Sequence, residues 1–397
     1  MEYQISNKMK NIDSSAISEI LKYVNDPNII SFAGGNPAPE TFPYKELAKT
    51  TEKLLKASPV LSLQYNATEG YSKLRNAISK RLEDTENINS KNNDLIVVSG
   101  GQQAIDLTAK CLLNEGDSVI VEEPSFIGAL NSFRSYGARL CGVPMEDDGI
   151  SISALKKTID ENKNIKIIYT IPNFQNPTGI TMSLLKRKAV YDLARKNGII
   201  IIEDNPYGEL TFDNSHIPPI KSFDRYADTV IYCGSFSKIL APGLRLGYCT
   251  GPRKLISKII AAKQISDVHT PILNQLMAYE YMREYDLNSN IKRSASLYSH
   301  KCALMLKYID LYFPKKIKHT YPKGGLFIWC DMGNDYNTLE ISKRCIEKGV
   351  VFVPGNAFMC DMSKPCSCFR LNYSTMTDDK IEEGIKILGE VLYEIMD

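Results

Sequence analysis

The chain has 397 residues, with 48 basic against 46 acidic side chains and a formal net charge of +2. So even a balance offers no field for gripping nucleic acid or an anionic membrane, and no apolar run approaches the roughly 20 residues of a membrane-spanning helix. Small-molecule chemistry is the class left standing, and the length calls for two domains or one large domain with a satellite.

Ten cysteines lie scattered without paired metal-ligand spacing, and the start MEYQISNKMK lacks the apolar core of a secretory signal. The expectation is a reduced, cytoplasmic protein. Cys360, Cys366 and Cys368 come nearest to a metal cluster, yet no histidine lies nearby and no fourth ligand is evident, so they read as unconnected thiols and no metal is expected.

After a polar arm, SSAISEILKYV places Ile17, Ile20, Leu21 and Val24 at helical spacing behind a cap at Asp13 or Ser14, the pattern of a short docking helix. The following SFAGGNPAPETFP holds too many glycines and prolines for regular structure. It reads either as a plain linker or as backbone that can approach a ligand closely. A helix is expected over residues 44–57. Then LQYNATEGYSKLRNAISKRL passes from an extended piece into an amphipathic helix near Gly70, with Tyr65 just before the turn.

From Asp94 onward short β-branched runs alternate with helical stretches: LIVVSGGQQAIDL, SVIVEEPSFIGAL, IKIIYTIPNFQNPTG, LLKRKAVYDLARKNG and IIIIED. Continuous apolar strands are those buried on both faces, so the expected fold is α/β with a mostly parallel, helix-covered sheet. Ligands of such sheets sit at the carboxyl ends of the strands, which makes the residue after each run the one to inspect.

Those residues form a set. Ser99-Gly100-Gly101-Gln102 opens a helix whose free amides favour a phosphate, although any strand-to-helix turn can contain glycine. Phe126 follows EEPS as either a stacking aromatic or ordinary core. Asn176 lies in PNFQNPTG, where Pro177 suits a cis bond. Asp204 ends a very apolar strand, and a carboxylate there is costly to bury unless paired; Tyr207 follows it. The stretch SFSKILAPGLRLG puts Ser235, Ser237, Lys238 and Arg245 on one turn after VIYCG. It reads either as a solvated loop or as a holder for a phosphorylated aldehyde, with Lys238 as covalent anchor and the hydroxyls and guanidinium on the phosphate.

Helices are expected over residues 252–265 and 271–312. The last hundred residues differ: KGGLFIWCDM, GVVFVPGNAF and CFRLNYS read as strands, and IEEGIKILGEVLYEIM as a closing amphipathic helix. Arg370 lies inside CFRLNYS, where an inward guanidinium needs an anion, either a structural carboxylate or a ligand.

SFAGGNP, LQY, PNFQNPTG, SFSK and FRLNYS together resemble the class I/II pyridoxal-phosphate aminotransferases of fold type I, nearest the kynurenine/2-aminoadipate, aromatic and branched-chain subgroup. The resemblance covers nearly the whole chain. It implies a large domain (41–288) with a seven-stranded sheet, a small α+β domain (289–397), and an N-terminal arm and helix (1–40) that joins the small domain. It assigns Lys238 as anchor and base, and Asp204 to the ring nitrogen of pyridoxal 5′-phosphate. Asn176 and Tyr207 go to its phenolic oxygen, Phe126 to its ring face, and Gly101, Gln102, Ser235, Ser237 and Arg245 to its surroundings and phosphate. Arg370 is implied for the substrate carboxylate, with Gly35 and Asn176 beside it. Tyr65 is implied to reach the phosphate of a neighbouring subunit in a homodimer. The implied reaction moves an amino group from an aromatic, 2-aminoadipate-like or aliphatic L-amino acid to a 2-oxo acid, 2-oxoglutarate for choice, by a ping-pong mechanism. The same residue set also suits a β-elimination lyase or a decarboxylase, and more remotely a cofactor-sensing module without turnover.

Overall fold

Runs of isoleucine and valine dictate the architecture. A two-residue strand, β1 (Ile30–Ser31), comes first. The main sheet is built from β2 (Asn93–Val98), β3 (Ser118–Glu123), β4 (Arg139–Glu146), β5 (Gly149–Ile150), β6 (Ile165–Thr170), β7 (Ile200–Asn205), β8 (Val230–Ser235) and β9 (Gly247–Pro252). The last part of the chain adds β10 (Lys318–His319), β11 (Phe327–Asp331), β12 (Val350–Val351), β13 (Val353–Pro354) and β14 (Cys368–Asn372). The computed structural model describes residues 3–10, 22–23, 26–333 and 336–396. The helix expected over Ile17, Ile20, Leu21 and Val24, with its caps Asp13 and Ser14, lies outside the described residues.

The main sheet runs β2-β9-β8-β7-β6-β3-β4-β5. Strands β8, β7, β6, β3 and β4 are parallel neighbours, and β9 lies antiparallel between β8 and β2. Val119, Ile120 and Val121 of β3, like Ile167 and Ile168 of β6, are fully buried, as strands covered by helices on both faces must be. The expected seven strands become eight because β4 folds back on itself through the two residues of β5.

Two strands escape a search for apolar runs. β4 (RLCGVPME) is mostly half-exposed and holds Pro144, tolerable because its outer side is bonded only by the two residues of β5. β9 (GYCTGP) has almost no apolar run, for a steric reason at its first residue. A Cβ on Gly247 would stand 2.8 Å from the backbone carbon of Gly100, so only glycine lets this strand pass the turn after β2.

Helices form at Tyr44–Ala57, Ser72–Glu86, Gly101–Leu112, Leu184–Lys196 and Arg253–Asp267, while the stretch expected to be helical over 271–312 divides into Ile272–Glu284 and the 26-residue Leu287–Tyr312, because Asp286 caps the second by accepting the Ser289 amide. The closing helix Asp378–Met396 buries Ile381, Ile385, Leu388 and Leu392 in the same core that receives Met305 and Ile309 from Leu287–Tyr312. Beside them lies a four-stranded antiparallel sheet, β10-β11-β14-β13, with Arg370 of β14 opposite both Trp329 and Val353. Strand β1 pairs in parallel with β12, so the segment after residue 26 is tied to the C-terminal part of the chain. Among the described residues no helix is long and apolar enough to cross a membrane.

Candidate active site

The carboxyl ends of β2, β3, β6, β7 and β8 open on one edge of the main sheet. Because β9 runs the other way, its beginning lies on that same edge and brings Arg245 with it. A cavity of about 450 Å³ sits there. It is lined by Gly35, Gly101, Gln102, Phe126, Asn176, Asp204, Tyr207, Ser235, Ser237, Lys238, Arg245 and Arg370, all residues singled out from the sequence. The structure does not bring Tyr65 into this group. It is 79% exposed, its ring edge-on to His269 at 5.8 Å.

At one end of the cavity the helix Gly101–Leu112 starts from Gly100 with no side-chain cap, so its first amides are free for an anion. The Arg245 guanidinium lies against Gly100, and its Nη2 donates to the Ser99 carbonyl at 3.4 Å. Ser235 Oγ accepts the Ser237 amide at 3.1 Å. Free amides, two hydroxyls and a guanidinium therefore converge on one spot. Gln102, by contrast, directs its side-chain amide to the Gly128 carbonyl and Ser132 Oγ at 2.9 and 2.8 Å.

Asp204 occupies the middle. It is 5% exposed, and its Oδ2 accepts the Tyr169 hydroxyl at 2.8 Å. Burial pushes its carboxyl up to about 6, and the Tyr169 hydrogen bond works against that rise. Lys238 Nζ donates to the Gly35 carbonyl at 2.6 Å. Loss of water, then the cations Arg370 and Arg245, bring its amine down to about 8, so that a minor but substantial neutral fraction, roughly a tenth, exists at pH 7.

At the other end Arg370 donates through Nη1 to Asn176 Oδ1 at 2.8 Å and through Nη2 to the Ala33 carbonyl at 2.6 Å. Its guanidinium lies 4.2 Å from the Phe327 ring centroid and 5.0 Å from that of Phe358. Burial lowers its pKa to about 10, and its Nε is buried without a hydrogen-bond partner among the described residues. Each Nη keeps one further N–H beyond these two bonds, and a buried guanidinium lining a cavity calls for an anion. The Asn176–Pro177 bond is cis, and burial holds the proton of the neighbouring Tyr207 hydroxyl firmly in place.

Sequence reasoning missed several contributors. Ala33, whose carbonyl takes Arg370, was not singled out, and for Gly35 the expected place beside the substrate carboxylate gave no hint of its carbonyl bond from Lys238, since a carbonyl carries no side-chain signal. Phe327 and Phe358 flank Arg370 from strands and turns that read simply as core. Glu122 is fully buried and accepts from the Ile171 amide at 3.1 Å, from the Gln175 amide at 3.2 Å and from the Thr170 hydroxyl, anchoring the loop that carries Asn176. A glutamate inside VIVEE was a visible anomaly that could have flagged it.

The family of class I and II aminotransferases matches residues 27–388. An aromatic-amino-acid aminotransferase of Thermococcus litoralis is 37% identical over 399 aligned residues, covering 100% of this chain and 95% of the relative. Among solved structures, a Pyrococcus horikoshii kynurenine aminotransferase in complex with PMP superposes with a TM-score of 0.95 at 36% identity, covering 99% of this chain and 98% of the other. The alpha-aminoadipate aminotransferase of Thermus thermophilus, complexed with N-(5′-phosphopyridoxyl)-L-leucine, gives 0.91 at 34% identity over 99% and 98%. The chain therefore belongs to the class I and II aminotransferases and is a transaminase that depends on pyridoxal phosphate.

Proposed function

We propose that the cavity between Ser99 and Arg370 holds pyridoxal phosphate on Lys238 and transfers amino groups from aromatic, 2-aminoadipate-like and aliphatic L-amino acids to a 2-oxo acid, with 2-oxoglutarate as acceptor. The observation that carries the reading is the convergence in one cavity of a low-pKa lysine, a buried carboxylate with one free oxygen and a buried guanidinium with no carboxylate partner among the described residues. These residues fit the cofactor and a substrate carboxylate together. Ser235, Ser237, Arg245 and the amides at Gly101 and Gln102 would hold the phosphate, Phe126 the ring face, and Asn176 and Tyr207 the phenolic oxygen.

When bound, the cofactor supplies an electron-withdrawing ring that takes up the electron pair left at the substrate's α-carbon and carries the amino group between half-reactions. Lys238 would anchor it, and its amine, when free, would take the proton from the substrate's α-carbon and give it back later in the half-reaction. Asp204 keeps the ring nitrogen protonated. Arg370 grips the α-carboxylate that every substrate shares, so side chains of different kinds can turn over in one site. Ile105, Ile127 and Ile171 give the cavity an apolar wall suited to aromatic and aliphatic donors. Because the amino group rests on the enzyme between substrates, the kinetics are ping-pong.

The reading extends to assembly and place. Two copies form a homodimer in which the exposed Tyr65 of each reaches the other's phosphate site, and the protein works in the cytoplasm. Residues 41–288 form the large domain and 289–397 the small one, with 1–40 joining the latter, a division supported by the pairing of β1 with β12. Borohydride reduction of the loaded protein tests the anchor and should fix the cofactor on the single peptide carrying Lys238. A panel of amino acids should bleach the bound chromophore in a half-reaction, aromatic and 2-aminoadipate-like donors foremost. A label on another lysine, or a chromophore indifferent to all donors, would overturn the reading.

A further inference from the structure

We propose that Tyr169 is a positioning residue for the cofactor: its hydroxyl holds Asp204 as an oriented carboxylate, one oxygen bound and the other turned to the ring nitrogen. The inference rests on Asp204 being the ring nitrogen's partner. Strand register explains the contact. Tyr169 of β6 lies opposite Ile202 of β7, so Asp204, two residues on, projects from the same face one step along the diagonal. The Tyr169 hydroxyl is 2.8 Å from Asp204 Oδ2, and both side chains are buried. Phe133 packs edge-on against the tyrosine ring at 5.6 Å and fixes its direction. This is the only hydrogen bond the Asp204 carboxyl group makes among the described residues, and Oδ1 remains for a ligand on the side of Gly101.

Chemistry sets the direction of the bond. Burial and the two neighbouring carboxylates hold the Tyr169 phenol far above its usual range, so it stays protonated and can only donate to the carboxylate. Such a donor favours the ionised acid, and an ionised Asp204 is what a protonated ring nitrogen requires. The titratable groups facing Asp204 are Tyr169 from β6, Glu122 from β3, Cys233 from β8 and Tyr207 just beyond β7. Tyr169 alone among them gives it a hydrogen bond. Without that donor Asp204 Oδ2 stands unpaired in an apolar wall, and the carboxyl takes up a proton at higher pH.

The test is the affinity of the apoprotein for pyridoxal phosphate, measured by absorbance titration from pH 5.5 to 9 for the parent, Tyr169→Phe, Asp204→Asn and the double variant. Phenylalanine preserves the packing on Phe133, and groups common to all four proteins, Lys238 included, cancel in the comparison. The parent's affinity should fall as acid protonates Asp204 near 6. Tyr169→Phe should move that acid limb up by about one pH unit, the size expected for one lost hydrogen bond to the charged form. That is about fivefold weaker binding at pH 6 and nearly equal binding at pH 8.5. In the Asp204→Asn background Tyr169→Phe should shift nothing further. A Tyr169→Phe loss equal at every pH, or no loss, overturns the positioning role while leaving Asp204 in place. An Asp204→Asn protein that keeps the parent's acid limb overturns the Asp204 assignment and this inference with it. Should the phenylalanine variant not fold, 3-fluorotyrosine at position 169 provides a stronger donor; the limb should then move to lower pH, and an unmoved limb overturns the proposal.

Discussion

Arg370→Lys offers the sharpest test of how substrates are held, and its magnitude follows from counting donors. A guanidinium has five N–H groups. In this protein Asn176 Oδ1 and the Ala33 carbonyl take one each and burial closes off the one on Nε, leaving one on each Nη. That is enough for both oxygens of a carboxylate. An ammonium at the same place has three donors; two must replace the bonds to Asn176 and Ala33, and the substrate keeps one. The lost charged hydrogen bond is worth about 1.5–3 kcal/mol, and weaker contact with the Phe327 and Phe358 faces adds about 0.5–1 kcal/mol. The specificity constant should therefore fall by about 2–4 kcal/mol, roughly 30- to 1,000-fold. Because the α-carboxylate is common to all donors, the factor should be similar for an aromatic, an aliphatic and an acidic amino acid. Single-turnover bleaching with each donor measures it directly. A loss confined to the acidic donor would place Arg370 at a distal carboxylate and refute the reasoning.

Two further expectations concern the anchor and the assembly. Capture of pyridoxal phosphate by the apoprotein needs a neutral Lys238, so its rate should climb with pH and level off above about 8. Arg370→Met, which removes a neighbouring cation, should move that midpoint upward; a parent midpoint near the ordinary lysine value of 10.5 would contradict the geometry. For the dimer, mixing inactive Lys238→Ala protein with an inactive Tyr65→Ala protein should restore turnover through hybrid pairs that keep one intact site. Sedimentation showing an active monomer would exclude that arrangement.

Much of the site was legible in the sequence because its side chains follow strands whose Ile and Val runs announce themselves. Asp204 after IIIIE and Asn176 after IKIIYTIP are examples, as is Lys238 after VIYCG, since a buried parallel strand leaves its next residues at a ligand-binding edge. Arg370 was legible for a different reason, being a charge inside an otherwise apolar antiparallel strand. Strands β4 and β9 were not, because an edge position admits Pro144 and a backbone crossing demands Gly247, and both erase the apolar signal. Tyr169 stayed hidden as well. A tyrosine at the end of a β-branched run is usual strand composition, and only the register between β6 and β7 shows which way its hydroxyl points.

The arrangement of the two cations carries one more consequence for the chemistry. Lys238 and Arg370 line the same cavity, and each is held by a backbone carbonyl from the SFAGG segment, Gly35 for the lysine and Ala33 for the arginine. The positive charge of Arg370 is one of the causes that depress the Lys238 amine, second only to loss of water. In the empty site that repulsion raises the neutral fraction of the amine, the form that would capture the cofactor. On the proposed reading, a substrate carboxylate seated on Arg370 would cancel the same charge, so a free Lys238 would gain affinity for a proton at the moment a proton must leave the α-carbon. Departure of the oxo acid would restore the cation and lower the amine again. One guanidinium would thus orient the substrate and tune the base proposed for this site, both through the carboxylate that every donor and acceptor brings.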